Sequence, residues 1–428
     1  MTGLTIFAVA TGSFRAAIAV IRISGPESSG VLVKLCGTLP APRQAVLRTI
    51  RSVDGVPADR GLVLWMPGPA SYTGEDSAEL HIHGGRAVLR AVVAALEQAG
   101  ARQAEPGEFT RRAFLNGRMD LLEAEGVADL VAAETEAQRL QALRQLDGAQ
   151  SRELAGWSDR LRRLLAWQEA LIDFPDEDLP PSVEASLEAD LAALADVLAA
   201  AVTEAGKGAR LRDGLIFAVT GAPNVGKSSL VNALARREVA IVSDGPGTTR
   251  DVLEVALELR GVPVTLVDTA GLRQTDDPVE AEGVRRAKAR AAEADLVIHV
   301  VDARDRALLI VDDGRLVVAN KIDLAPAYSA SLGVSAATGE GLAEFEHALS
   351  ERASQLATPG GHGVLTRARH ISAIRDATDR LRAAQCVDLP ELRGEELRLA
   401  MRALGRITGA VNVEDILDTV FSAFCIGK

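Results

Sequence analysis

The chain has 428 residues, 47% of them hydrophobic and 25% charged, with a formal net charge of −12; this is the profile of a globular protein too long for one ordinary core, and two or three domains are expected. The acidic balance excludes a general polyanion-binding protein, and no stretch approaches the roughly 18 consecutive apolar residues of a membrane span. Three scattered cysteines (Cys36, Cys386, Cys425) form neither a disulfide framework nor a metal pattern, so a cytoplasmic location without membrane association is expected.

Residues 1–118 alternate in strand fashion in TIFAVAT, AAIAVIRIS, GLVLWM and AELHIHGG. Turns are predicted at SGPESSG and MPGPASYTGED, and one helix from Arg86 to Gln98. The opening MTGLTIFAVATGSFR has no basic segment ahead of its apolar run, so it predicts a strand and not a signal peptide. The result is a small α+β domain. It carries 13 Lys/Arg against 9 Asp/Glu, a mildly basic end on an acidic protein that permits one localised RNA contact.

From Met119 the apolar period becomes helical through Leu121, Leu122, Val127, Leu130, Leu140, Leu143, Trp157 and Trp167. Asp173-Phe174-Pro175 stops it, because proline lacks the donor and clashes with the preceding turn. After Pro180-Pro181 a further helix is predicted to about Glu204, and the tail from His370 to Phe424 is again helical. Between these blocks, from Gly214, lie the short apolar runs LIFAVTG, VLEVALEL, VPVTLVD, LVIHVVD and LVVAN, mostly separated by helix-length polar stretches. That pattern predicts a mostly parallel sheet covered by helices on both faces, a guest inserted into a helical domain. The expected domains are 1–118, 119–212 and 359–428 as two parts of one helical domain, and 213–358 as the guest.

The guest opens with Gly221-Ala-Pro-Asn224-Val225-Gly226-Lys227-Ser228-Ser229, a G-x-x-x-x-G-K-[ST] phosphate loop between strand and helix. Lys227 is expected to reach the β/γ-phosphates, and Ser228 to hold Mg²⁺. Gly247-Thr248-Thr249-Arg250-Asp251 supplies a second threonine for Mg²⁺, Thr249. Asp268-Thr269-Ala270-Gly271 follows the strand VPVTLV, with Asp268 reaching magnesium through water and the Gly271 N–H sensing the γ-phosphate. Asn320-Lys321-Ile-Asp323 follows LVVA, and its carboxylate can accept both N–H donors of a guanine edge. Ser335-Ala336-Ala337 stands where a backbone N–H meets the guanine carbonyl. Five such fragments in register predict a GTPase.

Leu272 occupies the position where many switch GTPases keep a water-orienting glutamine. Hydrolysis therefore needs another device. Asn224 with oxygens of the Ser243–Thr248 loop can hold a monovalent cation against the phosphates, and Asp276, Asp277, Glu280 and Glu282 each offer a carboxylate, among which spacing does not choose.

The phosphate loop with GTTRD and DTAGLR, a helical domain containing IDFPDE, the segments SYTGED and PGEFTRRAFLNGR, and the terminal Phe424-Cys425-Ile426-Gly427-Lys428 together resemble the MnmE (TrmE) tRNA modification GTPases across the full chain. The resemblance implies an N-terminal domain that binds 5-formyl- or 5,10-methylene-tetrahydrofolate and forms a homodimer, with Arg22, Glu79, Arg118 and Lys428 at the folate-contacting positions. Arg118 stands where relatives often have lysine, a point charge instead of a planar fork. It implies potassium held by Asn224, Ser243, Gly245 and Thr248, with Asp244 in the same nucleotide-contacting loop, Glu280 as the water-orienting carboxylate, and two G domains meeting during turnover. It implies work with an FAD-dependent MnmG (GidA)-type partner on carbon 5 of the wobble uridine (U34) of tRNA, and places Cys425 in the modification step, either as a nucleophile or as a packed side chain. Two departures stand out: ATGSFRAA replaces a glycine-rich opening at Gly12–Ala17, and the stretch from Asp302 to Asn320 is short. A ribosome-assembly GTPase switch, sharing GTTRD and DTAGL, is the alternative.

Overall fold

The computed structural model describes residues 3–12, 16–173, 181–236 (side chains from 186), 254–268, 292–305, 315–325, 332–358 and 365–409, with Leu417, Val420, Phe421, Phe424 and Gly427 of the C-terminal segment. The chain divides into two compact units, Met1–Ala128 with Gly405–Lys428, and Asp129–Leu404.

The first unit is built on a six-stranded sheet of β1 (Ile6–Val9), β2 (Ala16–Ser24), β3 (Val46–Arg51), β4 (Pro57–Met66), β5 (Ser77–Gly84) and β6 (Arg102–Gln103), in the order β3-β4-β5-β2-β1-β6. Its pairings are antiparallel except β1 with β6. Helices α1 (Ser28–Cys36) and α2 (Arg86–Gln98) bury Val31, Leu32, Leu35, Val92 and Leu96 against Ile21, Ile23, Leu80 and Ile82. Alternate residues Arg22, Glu79 and His81 therefore point to the opposite face, because strand side chains alternate. Gly25–Glu27 make the expected turn, but from Ser28 the helix α1 takes the place of the rest of SGPESSG. Ser28 Oγ donates to the Asp76 carbonyl at 2.9 Å, and the apolar spacing of the residues after it fixes the helix once packed. A short helix α3 (Glu108–Leu115) follows Gly107, whose φ is +68°. A Cβ at Gly107 would come within 2.6 Å of the Phe421 carbonyl, so the C-terminal segment is seated on the start of α3. Phe421 and Phe424 pack there with Leu121, Ala124 and Leu417.

Helix α4 (Leu121–Ala132) runs from the first unit into the second, which contains α5 (Glu136–Leu146), α6 (Ala149–Asp173) and α7 (Pro181–Asp213). A capping box between Thr135 and Gln138 starts α5, and α6 is described as far as Asp173; Phe174 and Pro175 of the expected stop lie outside the described residues. Helix α7 runs past the expected Glu204 to Asp213. Gly206 and Gly208 each cost about 1 kcal/mol in a helix interior, but burial of Ala205 and Leu211 and the bond from Gln141 Nε2 to the Gly208 carbonyl offset it.

Beyond α7 comes a second six-stranded sheet: β7 (Leu215–Thr220), β8 (Glu254–Leu259), β9 (Val262–Asp268), β10 (Leu296–Asp302), β11 (Leu316–Asn320) and β12 (Leu332–Val334), in the order β12-β11-β10-β7-β9-β8. Every neighbouring pair is parallel except β8 with β9. Helices α8 (Lys227–Ala235) and α9 (Leu342–Ala357) pack on it around Phe217, Val219, Leu266, Ile298 and Phe345. The helices α10 (Ala368–Gln385), which packs along α7, and α11 (Pro390–Thr408) follow. The molecule is a multidomain α/β protein with a mostly parallel phosphate-loop sheet between helical segments. Among the described residues no helix is long and apolar enough to cross a membrane.

Candidate nucleotide and one-carbon sites

Parallel strands bring the ends of β7, β9, β10 and β11 to one edge of the second sheet, and with them Gly221, Asp268, Asp302 and Asn320. Ligands of open α/β sheets bind at such an edge. The loop between β7 and α8 is shaped by glycine. Gly221 has φ +142° and Gly226 φ +95°; a Cβ would fall 2.2 Å from the Val300 carbonyl at the first and 2.3 Å from Asn320 Nδ2 at the second. Asn224 also takes a left-handed φ of +65°. Successive backbone N–H groups in such a turn, at the start of a helix, make a cradle for an anion.

Lys227 is 6% exposed, and its ammonium donates to the Gly221 and Ala222 carbonyls at 2.9 and 2.8 Å. Ser228 Oγ donates to Asp268 Oδ2 at 2.5 Å. This hydroxyl and buried carboxylate are hard oxygen donors of the kind magnesium takes, and they converge beside the cradle. Val225 is buried and Ser229 exposed on the first turn of α8.

The second loop is bonded to the first. Asn320 Nδ2 donates to the Val225 carbonyl at 2.8 Å, and Lys321 Nζ to the Asn224 carbonyl at 2.6 Å. Asn320 Oδ1 in turn accepts from the Lys321 and Ala336 N–H groups at 2.9 and 3.1 Å. Ser335 Oγ donates to Asp323 Oδ1 at 2.6 Å, which orients that carboxylate. The Ser335 N–H itself goes to the Glu340 carbonyl, so the hydroxyl of Ser335, more than its amide, serves Asp323. Asp302, at the end of β10, accepts from Lys321 Nζ at 3.0 Å and from the Arg304 guanidinium at 2.8 and 2.7 Å. The Arg304 hydrogen bond, followed by that of Lys321, holds its carboxyl well below the usual range despite some burial. Sequence reading passed over Asp302; its signal was a carboxylate closing the apolar run LVIHVV, one strand ahead of Asn320.

In the first unit, Arg22 and Glu79 are register partners on β2 and β5. Arg22 Nε and Nη2 donate to Glu79 Oε1 at 3.2 and 3.1 Å, and His81 Nε2 lies 3.2 Å from Glu79 Oε2. The guanidinium lies 5.3 Å from the Tyr72 ring centroid and 6.0 Å from that of Phe109, a cation–π bracket absent from the sequence reading. Tyr72 is itself held to Thr110 at 2.9 Å, and burial pushes its phenol pKa up. Arg118 packs its stem on Gly74, with Cγ 3.2 Å from where a Cβ there would fall. Gly427 lies against Val9, so the chain returns to the end of β1 three residues after Phe424.

Ser243, Asp244, Gly245, Thr248, Thr249, Thr269, Ala270, Gly271, Glu280, Cys425 and Lys428 lie outside the described residues, as does part of the Gly12–Ala17 departure.

The family model described as GTP-binding protein TrmE N-terminus matches residues 5–118, and that of the MnmE helical domain matches residues 121–425. The chain is 57% identical to the tRNA modification GTPase MnmE of Gluconacetobacter diazotrophicus over 434 residues, covering 99% of each. It is 53% identical to the protein of the same name from Granulibacter bethesdensis, covering 100% of both chains, and 53% identical to that of Rhodospirillum rubrum, again covering 100% of both. With one family model matching ahead of the phosphate-loop sheet, another running through it, and these identities along its whole length, the chain belongs to the MnmE family of tRNA modification GTPases.

Proposed function

We propose that this GTPase drives modification at carbon 5 of the wobble uridine (U34) of tRNA, taking a one-carbon unit from a tetrahydrofolate and working with an FAD-dependent partner in the cytoplasm. Residues 213–358 form the GTPase domain, 1–118 the folate-binding and dimerising domain, and 119–212 with 359–428 the helical frame. The observation that supports the nucleotide part of the reading is the bonded pair of loops, Asn320 and Lys321 on the carbonyls of Val225 and Asn224, which ties the loop bearing Asp323 to the phosphate loop.

In this reading Asp323 accepts from the guanine edge while Ser335 fixes its other side. The cradle from Asn224 to Ser229 receives the phosphates, and Lys227 exchanges a loop carbonyl for a phosphate oxygen. Ser228 and Thr249 would hold magnesium, which would supply charge neutralisation on the phosphates. Asn224, Ser243, Gly245 and Thr248 would hold potassium, whose positive charge would serve in place of an arginine finger where two G domains meet. Glu280 orients the attacking water. On the other unit Glu79 receives the amide-like edge of a pterin, and Arg22, Arg118 and Lys428 counter the charges of the folate; Cys425 serves the modification step.

Nucleoside mass spectrometry of tRNA from a strain lacking the gene tests this directly. The wobble modification disappears and returns on complementation; an unchanged nucleoside profile overturns the reading. GTP turnover in potassium against sodium checks the cation, with equal rates counting against it.

A further inference from the structure

We infer that Asp302 is a positioning residue for nucleotide binding, acting through Lys321 and not on the ligand. This inference deepens the guanine-nucleotide reading of the cleft and rests on it.

Lys321 is a flexible four-carbon stem carrying a compact charge, a side chain with many rotamers to lose. Here its ammonium is fixed at two points, the Asn224 carbonyl at 2.6 Å and Asp302 Oδ2 at 3.0 Å. Both residues joined by the first bond carry left-handed backbones, φ +69° at Lys321 and +65° at Asn224. Non-glycine residues in that region are strained and persist only where their surroundings hold them. Asp302 is the anchor of that hold. Its side chain is 16% exposed at the end of a sheet strand, where the ladder to β11 pairs Asp302 with Asn320. The Arg304 fork takes both carboxylate oxygens, and the Arg304 N–H adds a bond to Oδ1 at 3.1 Å, so the carboxylate cannot rotate away from Lys321. The chain of contacts runs from β10 through Asp302 and Lys321 to the phosphate-loop carbonyl. It pre-sets the loop, and binding then loses less conformational freedom.

Full-length protein and the fluorescent nucleotide mant-GDP test it, with variants Asp302→Asn, Arg304→Ala, Lys321→Met and the double variant Asp302→Asn/Lys321→Met. Asp302→Asn is isosteric and is expected to weaken mant-GDP affinity about tenfold, the scale of one charge-assisted hydrogen bond. In the Lys321→Met background the same change is expected to cost nothing further, because the residue it acts through is gone. Arg304→Ala keeps the Lys321 bond and is expected to change affinity less than Asp302→Asn does. An unchanged Asp302→Asn, or a tenfold loss that persists in the Lys321→Met background as a general structural role would give, overturns the inference. If Asp302→Asn does not fold, Asp302→Ser, too short to reach Nζ but able to accept from the Arg304 N–H, takes its place in the cycle. Failure of the wild-type chain to bind mant-GDP at all would sink the reading of the cleft, a result distinct from either.

Discussion

Asn320 donates its side-chain amide to the carbonyl of Val225 at 2.8 Å, across 95 residues of sequence. One buried side chain thus joins the end of β11 to the phosphate loop, and its oxygen gathers the N–H groups of Lys321 and Ala336 as well. The Asn320–Asp323 loop and the phosphate loop form one bonded object.

Replacing Asn320 with Ala removes those three bonds and leaves the Val225 carbonyl without its donor. Stability should fall by about 1–3 kcal/mol, the cost of an unsatisfied buried group, and guanine-nucleotide affinity by tenfold or more. Urea unfolding monitored by circular dichroism and mant-GDP titration measure the two; a wild-type unfolding midpoint would contradict this account of the cleft.

Gly226→Ala strikes the same junction from the other side. The added methyl would sit 2.3 Å from Asn320 Nδ2 on a backbone with φ +95°, so Asn320 must leave its place and strain of about 1–3 kcal/mol is added. Mant-GDP binding should fall at least as far as in Asn320→Ala. In the double variant the two losses should add to less than their sum, since both act by displacing one side chain.

Such a junction shows how far the sequence could be read. The strands LIFAVTG, VPVTLVD, LVIHVVD and LVVAN appear where their apolar runs place them, because buried parallel strands need unbroken hydrophobic stretches. The helix Arg86–Gln98 matches its periodicity at both ends. The strands Val46–Arg51 and Leu332–Val334 went unread, the first for its weak alternation and the second for its three-residue length. The α1 helix was hidden because Gly and Ser next to Pro look like turn chemistry until Ser28 finds the Asp76 carbonyl. In the site, motif spacing yields Lys227, Ser228, Asn320 and Asp323. Partners distant in sequence, such as Asp302 for Lys321, Ser335 Oγ for Asp323 or Tyr72 for Arg22, follow only from the fold.

A pH dependence follows from Glu108 in the first unit. Burial pushes its carboxyl up, but bonds from Arg102, the Glu105 N–H and Arg112 outweigh that and leave it below the ordinary 4.5. A folded-state value below the unfolded one gives stability that is complete above pH 4.5 and lost as pH falls beneath it. Glu108→Gln should therefore lower stability at neutral pH by an amount on the order of 1–3 kcal/mol, and the gap to wild type should narrow on acidification. A gap of constant size from neutral to acid pH would contradict the assignment.

Glu79→Gln tests the proposed one-carbon site. The carboxylate accepts from both Nε and Nη2 of Arg22, and an amide keeps the shape while losing the charge. Calorimetric titration with 5-formyl-tetrahydrofolate should show affinity reduced about tenfold or more, as expected for a hydrogen bond to an ionised group. Undiminished binding would remove Glu79 from the site.

The most direct test is base exchange at Asp323. Wild-type protein should hydrolyse GTP and leave ATP nearly untouched, because a carboxylate held by Ser335 pairs with the two N–H donors of guanine and finds no matching pair on adenine. In Asp323→Asn an amide N–H faces the guanine amino group, so GTP turnover should collapse, and xanthosine triphosphate, with a carbonyl at that position, should become the better substrate. If Asp323→Asn keeps the wild-type preference for GTP, or if the wild-type chain turns over ATP as readily as GTP, the reading of this cleft is wrong.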